Sequence, residues 1–156
     1  MRGPEPEVVG GESVEDEITA LAHWLRKLCA REIEAGQIAI FGRTRQVVRE
    51  RAEPALAQAG LTGRWLAPDS DLATDAVAIG TMHAAKGLEF RAVALIGCDA
   101  QHLPLRGALA GTDSDDARRL VTERERYLLY VGCTRARECL LVTYSGEITP
   151  YLARYH

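Results

Sequence analysis

Lysine is scarce in this chain of 156 residues. Of its 19 basic residues, all but Lys27 and Lys86 are arginine. Neither lysine follows a glycine. A phosphate-cradling loop needs Gly-Lys followed by Ser or Thr, so that backbone amides and one ammonium wrap the phosphates. That loop is missing, which excludes a self-sufficient P-loop ATPase. No Cys-x-x-Cys pair occurs either. Cys29, Cys98, Cys133 and Cys139 stand apart, mostly in apolar segments. Free thiols in a reducing cytoplasm are expected, and no metal site. No apolar run approaches the roughly 18 residues of a membrane span. The N-terminus, Met1 to Glu7, has no apolar signal region. Nor is there an excess of positive charge: the formal net charge is -3. Coating of nucleic acid through bulk charge is excluded, while a local basic groove is not.

What is present suits one domain, residues 1–156. Hydrophobic residues make up 47% and charged residues 26%, enough for one real core. Glu7 to Gly10 reads as a short strand. Ser13 stands where an N-cap belongs, with Glu15, Asp16 and Glu17 at the positive end of a helix. Ile18, Leu21, Ala22, Leu25, Leu28 and Cys29 follow at helical spacing. The pattern predicts a helix to about Ala35, stopped by Gly36. Gln37 to Phe41 suits a strand buried on both faces. A second helix, Arg45 to Ala59, ends at Gly60, and Pro54 is a point where it bends or splits. Gly63 to Asp75 reads as a polar connection. Ala76 to Gly80 and Val93 to Gly97 are further strands. Gln101 to Asp116 reads as a loop. A long helix over Ala117 to Tyr130 and a strand over Cys139 to Tyr144 complete the chain. This alternation predicts an α/β fold with a mostly parallel sheet.

Chemistry concentrates in three segments. Thr81-Met82-His83-Ala84-Ala85-Lys86-Gly87-Leu88-Glu89-Phe90 follows a strand directly, and ligands of parallel sheets collect at the carboxyl ends of strands. Composition alone equally allows a polar turn capped by Thr81. The second segment runs from Glu125 to Arg137. It reads as a helix presenting Leu128, Leu129 and Val131 to a core, then Thr134, Arg135 and Arg137 before the next strand. An arginine fixed there offers a planar fork of donors to a phosphate; a solvated basic helix end is the alternative. Third, Arg43 and Thr44 end the strand Ile38 to Phe41, with Arg45, Arg49 and Arg51 beyond. Here Glu50 and Glu53 leave an ordinary solvated helix face open.

Together, and in this order, these segments resemble the second RecA-like motor domain of UvrD/Rep-type superfamily 1 DNA helicases. The resemblance spans about Val8 to Tyr144. Thr81 to Phe90 is similar to motif V, written Thr-x-His-x-x-Lys-Gly-Leu-Glu-Phe. Glu125 to Ala136 is similar to motif VI, with its Glu-Arg, Leu-Tyr-Val and Thr-Arg-Ala elements. Ile38 to Arg45 resembles the segment called motif IV or IVa.

The resemblance implies a RecA-like three-layer sandwich, and ATP with Mg2+ in a cleft shared with an N-terminal RecA-like domain of the same polypeptide. That domain would supply the P-loop and the Mg2+ ligands. Arg135 would be the arginine finger on the γ-phosphate. Glu89 would accept from the ribose hydroxyls, and Gly87 would let the backbone come close. Lys86 would join the ATP-binding set or serve structure. Thr81 and His83, with Arg43 and Thr44, would face single-stranded DNA. The isolated domain is expected to be inert as an ATPase.

Three departures from the family pattern bear on this. Walker A and the upstream Asn-Tyr-Arg-Ser segment are absent, so a piece of a longer protein is expected. Only Gly60 to Asp75 stands where many relatives carry an accessory subdomain, which puts unwinding, as opposed to translocation, in question. Ala92 to Ile96 followed by Asp99 imitates a Walker B strand but lies downstream of motif V, and reads as a core strand. A non-hydrolysing helicase-like adaptor that binds DNA or protein is the alternative function. A flavodoxin-like or Rossmann fold lacks its Gly-x-Gly-x-x-Gly fingerprint here.

Overall fold

A computed structural model describes residues 4–67 and 75–155. Six strands form one sheet: β1 (Pro6–Gly11), β2 (Ile38–Gly42), β3 (Gly63–Trp65), β4 (Val77–Thr81), β5 (Phe90–Ile96) and β6 (Ala136–Ser145). Their spatial order is β1-β6-β5-β2-β4-β3. Every pairing between them is parallel. The expected α/β sandwich is therefore the fold.

The central strands are buried on both faces because alternate side chains enter two different cores. On one face Ile38, Ile40, Ile79 and Ile96 pack against Leu21, Leu25 and Leu28 of α1 (Val14–Ala30) and Val48 and Leu56 of α2 (Arg45–Ala59). On the other, Phe41, Leu95 and Val142 pack against Leu129 of α4 (Asp115–Cys133), Met82 of the 3-10 turn Met82–Ala85, and Leu103. Among the described residues no helix is long and apolar enough to cross a membrane.

Local signals explain the boundaries. Ser13, Thr44 and Ser114 each accept a hydrogen bond from the amide three residues on, capping α1, α2 and α4. Gly60, at φ +73°, closes α2, and the Leu61 amide reaches back to the Leu56 carbonyl at 2.9 Å. Pro54 lies within α2 without dividing it.

Several expectations need correction. Helix α1 stops at Ala30, five residues before the expected end. Glu32 takes φ +62° there, and the Ile33 amide donates to the Leu28 carbonyl at 3.0 Å, the closure that glycine usually makes. The connection from Gly63 to Asp75 contains the edge strand β3; its stretch Pro68 to Asp71 lies outside the described residues. Strand β5 begins at Phe90, three residues early, and β6 at Ala136, which takes Arg137 into the strand. The loop from Gln101 contains a one-turn helix, α3 (Arg106–Leu109), and α4 starts at Asp115.

Candidate functional site

Arg43, Thr44 and Thr81 sit at the carboxyl edge of the sheet. Gly42 pairs in register with Thr81, so the ends of β2 and β4 are adjacent. The Thr44 hydroxyl is occupied in capping α2, accepting from the Val47 amide at 3.2 Å. Arg43 is held from the opposite layer. Its Nε and Nη2 donate to Oε1 and Oε2 of Glu125 at 2.9 and 2.8 Å. Oε1 of Glu125 also accepts from the Leu105 amide at 2.7 Å. Thr81 occupies the N-cap position of the 3-10 turn without bonding it, and His83 is exposed. Nearby, the Arg45 guanidinium lies 4.2 Å above the Trp65 ring and that of Arg49 lies 5.9 Å away.

Gly87, Glu89 and Arg135 lie at the opposite, amino edge, and Lys86 stands on the segment between the two edges. Residues 82–89 cross behind β2 from the end of β4 to the start of β5. Gly87, at φ +82°, turns the chain; a Cβ there would meet nothing within 4 Å, so the backbone angle, not crowding, selects glycine. The Phe90 amide then donates to the Arg135 carbonyl at 2.9 Å, and Phe90 pairs with Ala136. Glu89 and Arg135 therefore occupy neighbouring positions on adjacent strand starts. Arg135 is half-buried; its Nε donates to the Val131 carbonyl at 3.2 Å and its Nη2 to the Thr134 hydroxyl at 2.9 Å. Glu89 and Lys86 are exposed. The expectation that all of this chemistry gathers at carboxyl ends thus divides: Arg43, Thr44, Thr81 and His83 lie at that edge, Gly87, Glu89 and Arg135 at the other.

Of the three residues expected to face a core from the third helix, only Leu129 is fully buried; Leu128 and Val131 are half-buried. A cleft of about 440 Å³ separates α4 from the 3-10 turn, and both residues line it.

Two polar features escaped sequence reasoning. Glu125 is one: it was seen only as part of a motif, not as the partner of Arg43. The other is a buried network. Arg51 Nη1 donates to Glu17 Oε1 at 2.6 Å and to Asp99 Oδ2 at 3.0 Å. Glu17 Oε2 accepts from the Gly97 amide at 2.7 Å and the Thr143 hydroxyl at 2.6 Å. His102 Nδ1 contacts Asp99 Oδ1. The sequence does carry a signal. Arg51 falls in the stripe Val47, Val48, Ala52, Ala55, Leu56, and Glu17 beside Ile18 and Leu21; a charge in a buried stripe demands a partner. Burial alone would raise the Asp99 pKa, but hydrogen bonds from His102 and Arg51 outweigh it and hold the carboxylate below its usual 3.8. Asp99 thus belongs to a structural network after a core strand. The four cysteines are free, and burial pushes the Cys133 thiol up to about 11. Among the described residues no cluster of His, Cys, Asp or Glu is placed to hold a metal ion.

The fold is that of a helicase C-terminal domain. The chain superposes on the C-terminal domain of a possible DNA helicase from Lactobacillus plantarum WCFS1 with a TM-score of 0.70 and 23% identity, over 99% of this chain and 83% of that one. Residues 56–147 match the UvrD-like helicase C-terminal domain family, and the chain belongs to it. It is 44% identical over 75 residues to the ATP-dependent DNA helicase UvrD2 of Mycobacterium tuberculosis (strain ATCC 25618 / H37Rv), covering 47% of this chain and 10% of that protein. Against DNA helicase II of Escherichia coli (strain K12) the identity is 42% over 76 residues, covering 49% and 10%. Against the ATP-dependent DNA helicase PcrA of Leuconostoc citreum it is 46% over 68 residues, covering 44% and 8%. The matched segment spans about a tenth of the length of these relatives.

Proposed function

We propose that this chain is the C-terminal motor domain of an ATP-dependent DNA helicase or translocase, working with an N-terminal RecA-like domain that carries the P-loop. The observation that carries this reading is the path of residues 82–89, which leave β4 beside Arg43 and arrive beside Arg135. One short segment joins an edge suited to a nucleic-acid backbone to an edge suited to a nucleotide.

At the amino edge, Arg135 directs a guanidinium to the charge that develops on the γ-phosphate. Glu89 accepts from the ribose hydroxyls and Gly87 lets the backbone approach, while Lys86 lines the cleft beside His83 rather than the nucleotide edge. Mg2+ would be held by the partner domain, where it would neutralise phosphate charge. At the carboxyl edge, Thr81, His83, Thr44 and Arg43 face single-stranded DNA. The bidentate bond to Glu125 uses Nε and Nη2 of Arg43 and leaves Nη1 for a phosphate. Closure on ATP and opening after hydrolysis then move this domain along the strand.

The test is steady-state ATP hydrolysis, with and without single-stranded DNA, by the enzyme assembled with its P-loop domain. Arg135→Ala is expected to lower turnover by a factor of about 10³ or more. Hydrolysis surviving near the unmodified rate removes the finger assignment and favours the adaptor reading. Magnesium-dependent hydrolysis by this chain alone sinks the shared-site reading.

A further inference from the structure

The cleft between α4 and the 3-10 turn has an unusual lining. Its apolar lining includes Leu128 and Val131, and Tyr127 lines it as well. Tyr127 is 63% exposed; with Leu120 and Tyr130 it makes up the exposed large hydrophobics of the described residues, all on α4. His83, Lys86 and Arg124 stand around the same cleft. Among the described residues the side chains of these three make no hydrogen bond or ion pair. Glu125, at the same cleft, is already neutralised by Arg43. The positive charge of Lys86 and Arg124 is therefore uncompensated. Along α4 the lining runs from Val121 to Val131, roughly 15 Å at the rise of an α-helix.

An apolar lining, an exposed ring and separated cations suit a flat base joined to a string of phosphates. They suit a triphosphate less well, because its clustered charge needs a cradle of backbone amides and no glycine lines this cleft. We propose that the cleft receives one base of a single DNA strand, stacked on Tyr127, with the flanking phosphates on Lys86 and Arg124. The proposal rests on the DNA-binding reading above and adds to it a base-binding position on α4, outside the carboxyl edge of the sheet. His83, already placed at that edge, also lines the cleft, so the two positions adjoin. Stacking accepts any base face, so sequence preference is weak.

The experiment measures anisotropy of a fluorescein-labelled oligothymidylate with the full chain at low and moderate salt, beside an oligonucleotide of the same length with abasic central positions. Tyr127→Ala is expected to weaken oligothymidylate binding about tenfold and to leave abasic binding unchanged. Tyr127→Phe keeps the ring and is expected to restore the affinity. The double variant Lys86→Ala/Arg124→Ala weakens both oligonucleotides and lowers the salt slope by about 1.4. An oligonucleotide carrying 5-iododeoxyuridine is expected to cross-link to Tyr127. Unchanged affinity in Tyr127→Ala with cross-links elsewhere overturns the cleft and leaves the carboxyl-edge reading standing. Displacement of the Tyr127 cross-link by millimolar ATP overturns it in favour of a nucleotide site. If the unmodified chain binds neither oligonucleotide at low salt, the DNA reading fails as well.

Discussion

Arg43 and Glu125 lock the end of β2 to the middle of α4. Both nitrogens on one side of the guanidinium meet both carboxylate oxygens, with the side chains 11% and 6% exposed. The arginine expected at the nucleic-acid edge is thus committed to the helix that ends at Cys133, two residues before Arg135. The same carboxylate holds the Leu105 amide, so it also fixes the chain just before α3.

Removing Glu125 therefore strands a nearly buried guanidinium and a backbone donor together. Glu125→Ala is expected to lower stability by about 3–5 kcal/mol. The double variant Arg43→Met/Glu125→Leu should regain part of that loss, because an apolar pair carries no uncompensated charge while the Leu105 amide still lacks its acceptor. Urea unfolding of the variants reads both changes. The result also controls the DNA test: loss of DNA binding in Arg43→Ala assigns a direct contact only where the fold survives.

The Asp99 network predicts an acid limb. Its carboxyl pKa is lowered in the folded state, so between the folded and unfolded values the unfolded chain binds more protons. The stabilisation is fully present above the unfolded value, close to 3.8, and is lost as pH falls through the folded value. Urea midpoints followed from neutral pH down to about pH 3 should fall at the acid end. Asp99→Asn should be less stable at neutral pH and show a flatter acid limb. An unchanged acid slope in that variant removes Asp99 as the source.

Five of the six strands were legible because they are short apolar runs bounded by Gly, Pro or polar residues; β3, the edge strand Gly63–Trp65, carries no such run. The start of α1 was equally plain, since Ser13 carries its cap chemistry in one residue, whereas α4 begins two residues before its expected start. The end of α1 was hidden: Glu32 adopts a left-handed angle with no glycine to announce it, forced by the closure onto Leu28. The division of the site between two edges was hidden too. It depends on where β5 and β6 begin, and register comes from the Phe90–Arg135 hydrogen bond rather than from local pattern. Glu125 and the Arg51 network pair residues 82, 34 and 48 positions apart, which no local period reveals.

That hidden helix end is itself open to test. A side chain at φ +62° costs about 1–2 kcal/mol, and glycine relieves most of it. Glu32→Gly is expected to stabilise the chain by about 0.5–1 kcal/mol despite the added freedom of the unfolded state. Thermal and urea unfolding both report the sign. A net loss would mean that the Glu32 side chain contributes something beyond its backbone angle.

Arg135 separates fold from function most cleanly. Its side-chain bonds are local, to Val131 and Thr134 within the end of α4. Neither Arg135→Ala nor Arg135→Lys should change stability by more than about 1 kcal/mol, the net worth of such local hydrogen bonds. Lysine keeps the charge but loses the planar fork of donors that spans two phosphate oxygens. In the enzyme assembled with its P-loop domain, Arg135→Lys should therefore hydrolyse ATP nearly as poorly as Arg135→Ala, while DNA affinity stays unchanged. Recovery of turnover by lysine would show that a point charge suffices at this edge, and that the local bonds to Val131 and Thr134 do not aim the side chain for catalysis.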